Sequence, residues 1–246
     1  GCGIRGISGG FVAVLSVISA LSTPDALAEE RAFSDVRTGD WAGSRSALGA
    51  KGVSLGVTYT GEALGTLSGG AKQGTAFEGL VDIAVDVDLE RLVGWRGATT
   101  HLRAFQIHTA GGENAADYAG SISDPSNIDA LATTRLFTLW VQQDFGPAGS
   151  IRIGQLAADD EFFISDTASG LINGTFGWGN NLAANLPGGG PGYPLATPGV
   201  RGQVSVSDTL SLLGAVFSGD PAGSGCYRND SDADPQACNR RGITFS

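Results

Sequence analysis

Phe77-Glu78-Gly79-Leu80-Val81-Asp82-Ile83-Ala84-Val85-Asp86-Val87-Asp88-Leu89-Glu90 is the stretch from which the fold follows. Phe77, Val81, Ile83, Val85, Val87 and Leu89 alternate with Glu78, Asp82, Asp86, Asp88 and Glu90. Side chains of an extended chain point to opposite faces in turn, so this segment is a strand with one oily face and one acidic face. Just before it, Val53, Leu55, Val57 and Tyr59 alternate with Ser54, Gly56, Thr58 and Thr60 in the same way.

Outward from this pair the period stays at two. Strands are expected near residues 98–108, 135–145, 150–157, 199–207 and 209–217, with an eighth beginning at about Gly242. Phe137, Leu139 and Val141 oppose Thr138, Trp140 and Gln142; Ile151 and Ile153 flank Arg152; Val200, Val204 and Val206 flank Arg201, Gln203 and Ser205. The connections alternate in length: about 15 residues (61–75), then about 7, about 26, about 4, about 41, about two around Asp208, and about 24. A soluble Greek-key sandwich has no reason to keep that order, whereas an up-and-down outer-membrane barrel joins its strands by short periplasmic turns and longer external loops. The fold class expected is therefore all-β, an antiparallel up-and-down transmembrane β-barrel. Hydrocarbon offers no partners to backbone N–H and C=O groups, so spanning strands must pair all round.

The chain has 246 residues, 41% apolar and 16% charged, with 39 glycines and no methionine. The apolar content is too high for a disordered chain, and no run of about 18 apolar residues exists for a spanning helix. Fifteen basic residues against 25 acidic ones, a formal net charge of -10, leave no basic patch for a phosphate backbone, so nucleic acid is not an expected partner. Gly1 in first place and an incomplete last strand at Phe245-Ser246 suggest a piece of a longer barrel, roughly its first half.

Arg5, the apolar stretch Phe11 to Leu21 and Ala26-Leu27-Ala28 read as a secretory signal over residues 1–28, cleaved after Ala28. A short membrane anchor is the alternative, but about ten apolar residues fall short of a bilayer core of about 30 Å. Residues 29–52 are then a periplasmic segment in which Trp41, Arg45 and Leu48 share one side of a short helix from about Asp40 to Ala50, either packed at the periplasmic rim or loose. Residues 53–246 are the partial barrel. Cys226 and Cys238 are expected to form a disulfide in an oxidising compartment, and with only His101 and His108 no zinc site is expected. Asp230-x-Asp232-x-Asp234 starts like a calcium loop, but Pro235 and Arg241 stand where glycine and the bidentate glutamate belong, so no metal is expected. No cofactor is implied. Asp159-Asp160-Glu161 lacks the nucleophile, P-loop or GxSxG that would make an enzyme of it.

The strings GDWAGSR (Gly39–Arg45), SNIDAL (Ser126–Leu131), GQLAADDEFF (Gly154–Phe163), NLPGGGPGYPLATPGVR (Asn185–Arg201) and FSGDPAG (Phe217–Gly223), in this order, resemble the OprB family of carbohydrate-selective porins. The resemblance runs from about Gly39 to the end of the chain. It implies a complete barrel of about 16 strands, a constriction made partly by inward-folded loops, passive diffusion of glucose-like sugars and small ions, and a place in the Gram-negative outer membrane. Small sugars and membrane lipid are the implied partners, and a homo-oligomer stays open. A secreted soluble β-rich sugar-binding or adhesion domain is the alternative.

A sugar gives up water on entering a pore and needs replacement partners on the wall. Glu78, Asp82, Asp86 and Asp88 supply an acidic row; Arg103, Arg152 and Arg201 and the ring of Trp140 face the same water by parity or by charge. An arginine facing lipid at mid-depth costs about 2–4 kcal/mol, which decides the face of Arg103 although Phe105 and Ile107 share its parity. Arg135 shares parity with Phe137 and Leu139 and is expected at the outer rim, snorkelling. The connection from Ala158 to Pro198 is the constriction candidate, with Asp159, Asp160, Glu161, Phe176, Trp178, Asn181, Asn185 and Tyr193 as its acids, amides and rings. Against these readings stand plain solvation of the lumen for the charges, wall packing for the rings and an external lid for the whole loop.

Overall fold

The computed structural model describes residues 39–223, 225–227 and 233–244, and residues 11–18 by backbone alone. The expected cleavage point at Ala28, and Asp230 and Asp232, lie outside the described residues. Eight strands form one antiparallel sheet: β1 Phe11–Ile18, β2 Val53–Thr66, β3 Gly74–Asp88, β4 Ala98–Ala110, β5 Thr133–Asp144, β6 Gly149–Leu156, β7 Thr197–Ser207 and β8 Leu210–Ser218. From β2 to β8 each strand pairs with the next in sequence, as an up-and-down meander must, and β1 pairs with the free edge of β8. No helix among the described residues is long and apolar enough to cross a membrane.

Register follows the alternation. Val53, Leu55, Val57 and Tyr59 lie opposite Val87, Val85, Ile83 and Val81. This outer face continues through Val141, Ile151, Ile153, Val200, Val204 and Val216, and Val57, Ile153 and Val204 are 57%, 56% and 57% exposed. A contiguous apolar face of this extent on an antiparallel sheet is the pattern of a lipid-facing wall. Tyr59 and His108 stack on it at 5.8 Å between ring centres, with Phe77 next to them at 6.4 Å from His108. Trp95 and Phe145, both exposed, lie on the short connections at the opposite end of the strands. The two levels of rings correspond to the aromatic belts that flank a membrane's hydrocarbon.

Several expectations change. β2 runs on to Thr66, so the first external connection shrinks from 61–75 to 67–73; the glycine-bearing segment from Gly61 to Thr66 alternates weakly but pairs with β3 as far as Gly74. No eighth strand begins at Gly242: residues 240–244 follow β5 where β6 leaves it, with Leu136 N donating to Arg241 O at 2.9 Å and Gln155 Nε2 to Gly242 O at 2.6 Å. The eighth strand is β1, in the stretch read as the apolar core of a signal. The short helix is α1, Ser44–Ala50, held to β2 by Arg45 Nη2 donating to Leu55 O at 3.3 Å, with Arg45 4.4 Å above the ring of Trp41.

The inner face is not polar throughout. Toward the external end it carries Leu80, Phe105, Ile107 and Phe137, which form a buried cluster with Ile128, Ala130, Ala157 and Ala196 from the long connections. Those connections, 111–132 and 157–196, fold against the inner side of the sheet. Phe137 was expected on the oily outer face with Leu139. A bulge moves it: Arg103 pairs with Thr138 but Ala104 pairs with Leu136, leaving Phe137 as the extra residue. An extra residue reverses the faces beyond it. Arg135 therefore lies on the inner face opposite Phe105, 1% exposed, and not at the outer rim as its sequence parity suggests.

Candidate functional site

Below the apolar cluster the inner face carries a belt of linked charges. Arg103 on β4 donates to both carboxylate oxygens of Asp82 on β3, its Nη2 at 2.7 Å, and its Nη1 reaches Asp160 at 3.3 Å. One turn of the pleat lower, His101 Nδ1 meets Asp86 Oδ1 at 2.6 Å, and the imidazole stacks on Trp140 at 5.1 Å between ring centres. Arg152 lies 3.7 Å above the centre of the Trp140 ring. Cation–π contact of this kind suits a guanidinium, whose weak hydration leaves its face free to stack.

Arg152 on β6 is directly opposite Arg201 on β7. Like charges facing across a strand pair repel, so the pair requires a counter-charge. Glu161 supplies it: one carboxylate oxygen accepts from Arg152 Nη1 and the other from Arg201 Nε at 2.9 Å. Gln142 Oε1 accepts from Arg152 Nε at 3.0 Å, and Arg201 Nη1 donates to Ser150 Oγ at 2.7 Å. The belt thus crosses five strands, from Asp82 to Arg201, with acid and base alternating.

The long connection is attached to this belt by its first turn. α4, Asp159–Phe162, presents three consecutive carboxylates with three fates. Asp160 goes to Arg103 and Glu161 to the arginine pair, while Asp159 Oδ2 accepts from Tyr193 N at 2.9 Å at the far end of the same connection. Burial and the neighbouring charge of Asp160 push Asp159 up to about 7. Tyr193 in turn donates its hydroxyl to Ile128 O at 2.8 Å and sets its ring on Phe105 and Phe137, so it joins both long connections to the wall. Gly192 has no room for a side chain, since a Cβ there would stand 2.5 Å from the Trp178 ring.

The sequence-derived residues divide accordingly. Asp82, Asp86, Arg103, Trp140, Arg152, Arg201, Asp160 and Glu161 come together in the belt. Glu78 shares their face but does not line open water: it is 3% exposed beneath α3, Ala115–Ala119, where Oε1 accepts from Ala115 N at 2.5 Å. Asp88 leaves the acidic row for a local role, capping α2, Leu89–Val93, by accepting from Glu90 N at 2.9 Å and Arg91 N at 3.1 Å. Trp178 and Tyr193 face a cleft above the belt, whereas Phe176, Asn181 and Asn185 stay exposed and do not border it. His101, Gln142 and Ser150 belong to the belt without having been singled out; inward parity with Arg103, Trp140 and Arg152 was the signal for each. Cys226 and Cys238 form the expected disulfide.

No group of three or more histidine, cysteine or acidic side chains among the described residues has a metal-binding arrangement. No curated protein matches the chain in sequence. Among solved structures, the high-pH structure of Pseudomonas putida OprB superposes with a TM-score of 0.66 at 20% identity, over 80% of this chain and 49% of that one. Its low-pH structure matches less well, with a TM-score of 0.48 at 16% identity over 74% of this chain and 50% of that one. The chain therefore spans about half the length of this solved relative, whose fold it shares as part of a barrel wall. The profile of the carbohydrate-selective porin, OprB family, matches residues 72–246. With that match over most of its length, the chain belongs to the OprB family of carbohydrate-selective porins, channels of the Gram-negative outer membrane and not enzymes.

Proposed function

We propose that the intact protein lets glucose-like sugars and small ions diffuse passively across the outer membrane, and that the belt from Asp82 to Arg201 is its filter. The observation that carries this reading is the attachment of the infolded connection to the wall through Glu161. It brings carboxylates, guanidinium groups, an amide and a ring to one level of the inner face. A neutral polyol that loses water there meets donors and acceptors in alternation, each already partly satisfied, so replacement bonds form without a deep well to escape from. Opposite charges in sequence leave no strong net field to retain an ion of either sign. The apolar outer face supports lipid as its partner and speaks against a soluble sugar-binding domain, which would have to leave that face in water.

Planar-bilayer recording of the intact protein tests the reading. We expect glucose to reduce the ion current through the open channel, and Arg152→Ala or Arg201→Ala to change both conductance and block. Unchanged values in both variants would remove the arginines from the filter, and a channel indifferent to sugar would overturn the reading.

A further inference from the structure

Above the belt, the wall and the two infolded connections enclose a cleft of about 330 Å³. That is the lower end of the range for small-molecule sites. Four rings border it, Phe105, Phe137, Tyr193 and Trp178, together with Arg103, Asp160, Asn180 and Gln236. The rings are fixed in place. Tyr193 lies 5.5 Å from Phe105 between centres and is tied through its hydroxyl to Ile128. Trp178 donates Nε1 to Gly189 O at 2.6 Å and packs edge-on against Phe163.

The polar groups are fixed too, but only half used. Asn180 Nδ2 donates to Ile122 O at 2.7 Å, Asp160 Oδ1 accepts from Arg103, and Gln236 Oε1 accepts from Leu131 N at 2.8 Å. Asn180 Oδ1, Asp160 Oδ2 and both Nε2 hydrogens of Gln236 have no side-chain or backbone partner among the described residues. Gln236 is held by two constraints besides its own bond. It sits in α5, Pro235–Cys238, whose first turn is capped by Asp234 Oδ1 accepting from Gln236 N at 2.8 Å, and the disulfide from Cys238 to Cys226 anchors the end of that helix.

A pyranose has an apolar C–H face and an edge of hydroxyls that both donate and accept. Rings beside two acceptors and one double donor match that chemistry better than they match an apolar guest, because each is already oriented and needs no reordering on binding. We propose that this cleft is a discrete binding station for a single pyranose, placed before the charged belt, with Trp178 as its stacking ring and Gln236 as its hydroxyl donor. This rests on the sugar-channel reading, but it assigns a site where that reading needs only a path.

Saturation-transfer NMR on the full chain in detergent micelles with D-glucose tests it, since weak binding is read there without transport. Transfer to the sugar C–H protons is expected. Gln236→Glu keeps the oxygen that accepts from Leu131 N and removes both donors, so it should weaken glucose by about five- to tenfold, the worth of one or two neutral hydrogen bonds. Trp178→Ala should weaken it by a similar factor while Ile122→Ala, outside the cleft, leaves it unchanged. No transfer in the unsubstituted chain, or wild-type affinity in both Gln236→Glu and Trp178→Ala, overturns the station. Swelling of liposomes in glucose by the intact protein separates the two ideas: swelling with unaltered binding in the variants sinks the station alone, whereas variant-sensitive binding without swelling sinks the channel and leaves the station standing.

Discussion

Glu161 is the residue on which the belt depends. It is 8% exposed and bridges two arginines that face each other across β6 and β7. Removing one member of a buried charge group leaves the rest uncompensated, which costs on the order of 3 kcal/mol. Glu161→Gln should therefore lower the urea midpoint of the refolded protein and, in bilayers, move the reversal potential toward anion preference; a midpoint and a potential equal to wild type would contradict this. Asp129 gives a second expectation. Burial and then the negative charge of Glu78 push its carboxyl up to about 7. The folded form thus binds the proton more tightly than the unfolded one, so stability is greatest at low pH and declines as pH rises from the ordinary carboxylate range through about 7. Protease cleavage of the 111–132 connection should increase over that window in the wild type and stay flat in Asp129→Asn. Arg152 and Arg201 were legible as inward-facing because charge and parity agree. Glu161's role was not, since nothing in three consecutive acids says which one turns toward the arginines; that is decided by the geometry of one helical turn.

Among elements, β3 was legible over most of its length, because its alternation runs from Phe77 to Asp88 with only Leu80 and Ala84 out of step; Leu89 and Glu90, which continue the alternation, belong to α2. β5 was legible only up to its bulge. A single unpaired residue, Phe137, reverses the faces of Thr133 to Leu136, and no period-two pattern reveals it because Phe137 is apolar on either side. Deleting Phe137 would make Arg103–Thr138 and Ala104–Leu136 successive regular pairs and keep Arg135 on the inner face, so it removes the bulge together with a buried ring. Losing that ring costs about 3–5 kcal/mol. The deletion variant should give less of the compact, heat-sensitive band of a folded barrel on cold gel electrophoresis; folding at the wild-type yield would show that the bulge and its ring are dispensable. β2 was read too short for a different reason. Gly61 and Gly65 weaken its signal, and the strand is completed by its partner's register rather than by its own side chains.

At the scale of the whole molecule, the meander and the oily outer face were legible from connection lengths and alternation together. The filling of the inner side was not, because it depends on where 157–196 and 111–132 settle, and long connections carry no periodic signal. A wall with one apolar face needs detergent or lipid to stay dispersed. Refolded protein should run as a discrete species above the critical micelle concentration and precipitate on dilution below it; a stable soluble monomer would contradict the membrane assignment. The stitching of α4 to the wall has a further consequence. An opening bounded by buried ion pairs cannot dilate for a large visitor without rupturing them, so its calibre is settled during assembly and not by traffic. A ladder of maltooligosaccharides should accordingly show an abrupt length cutoff, at the same rung whatever the applied voltage or the concentration gradient.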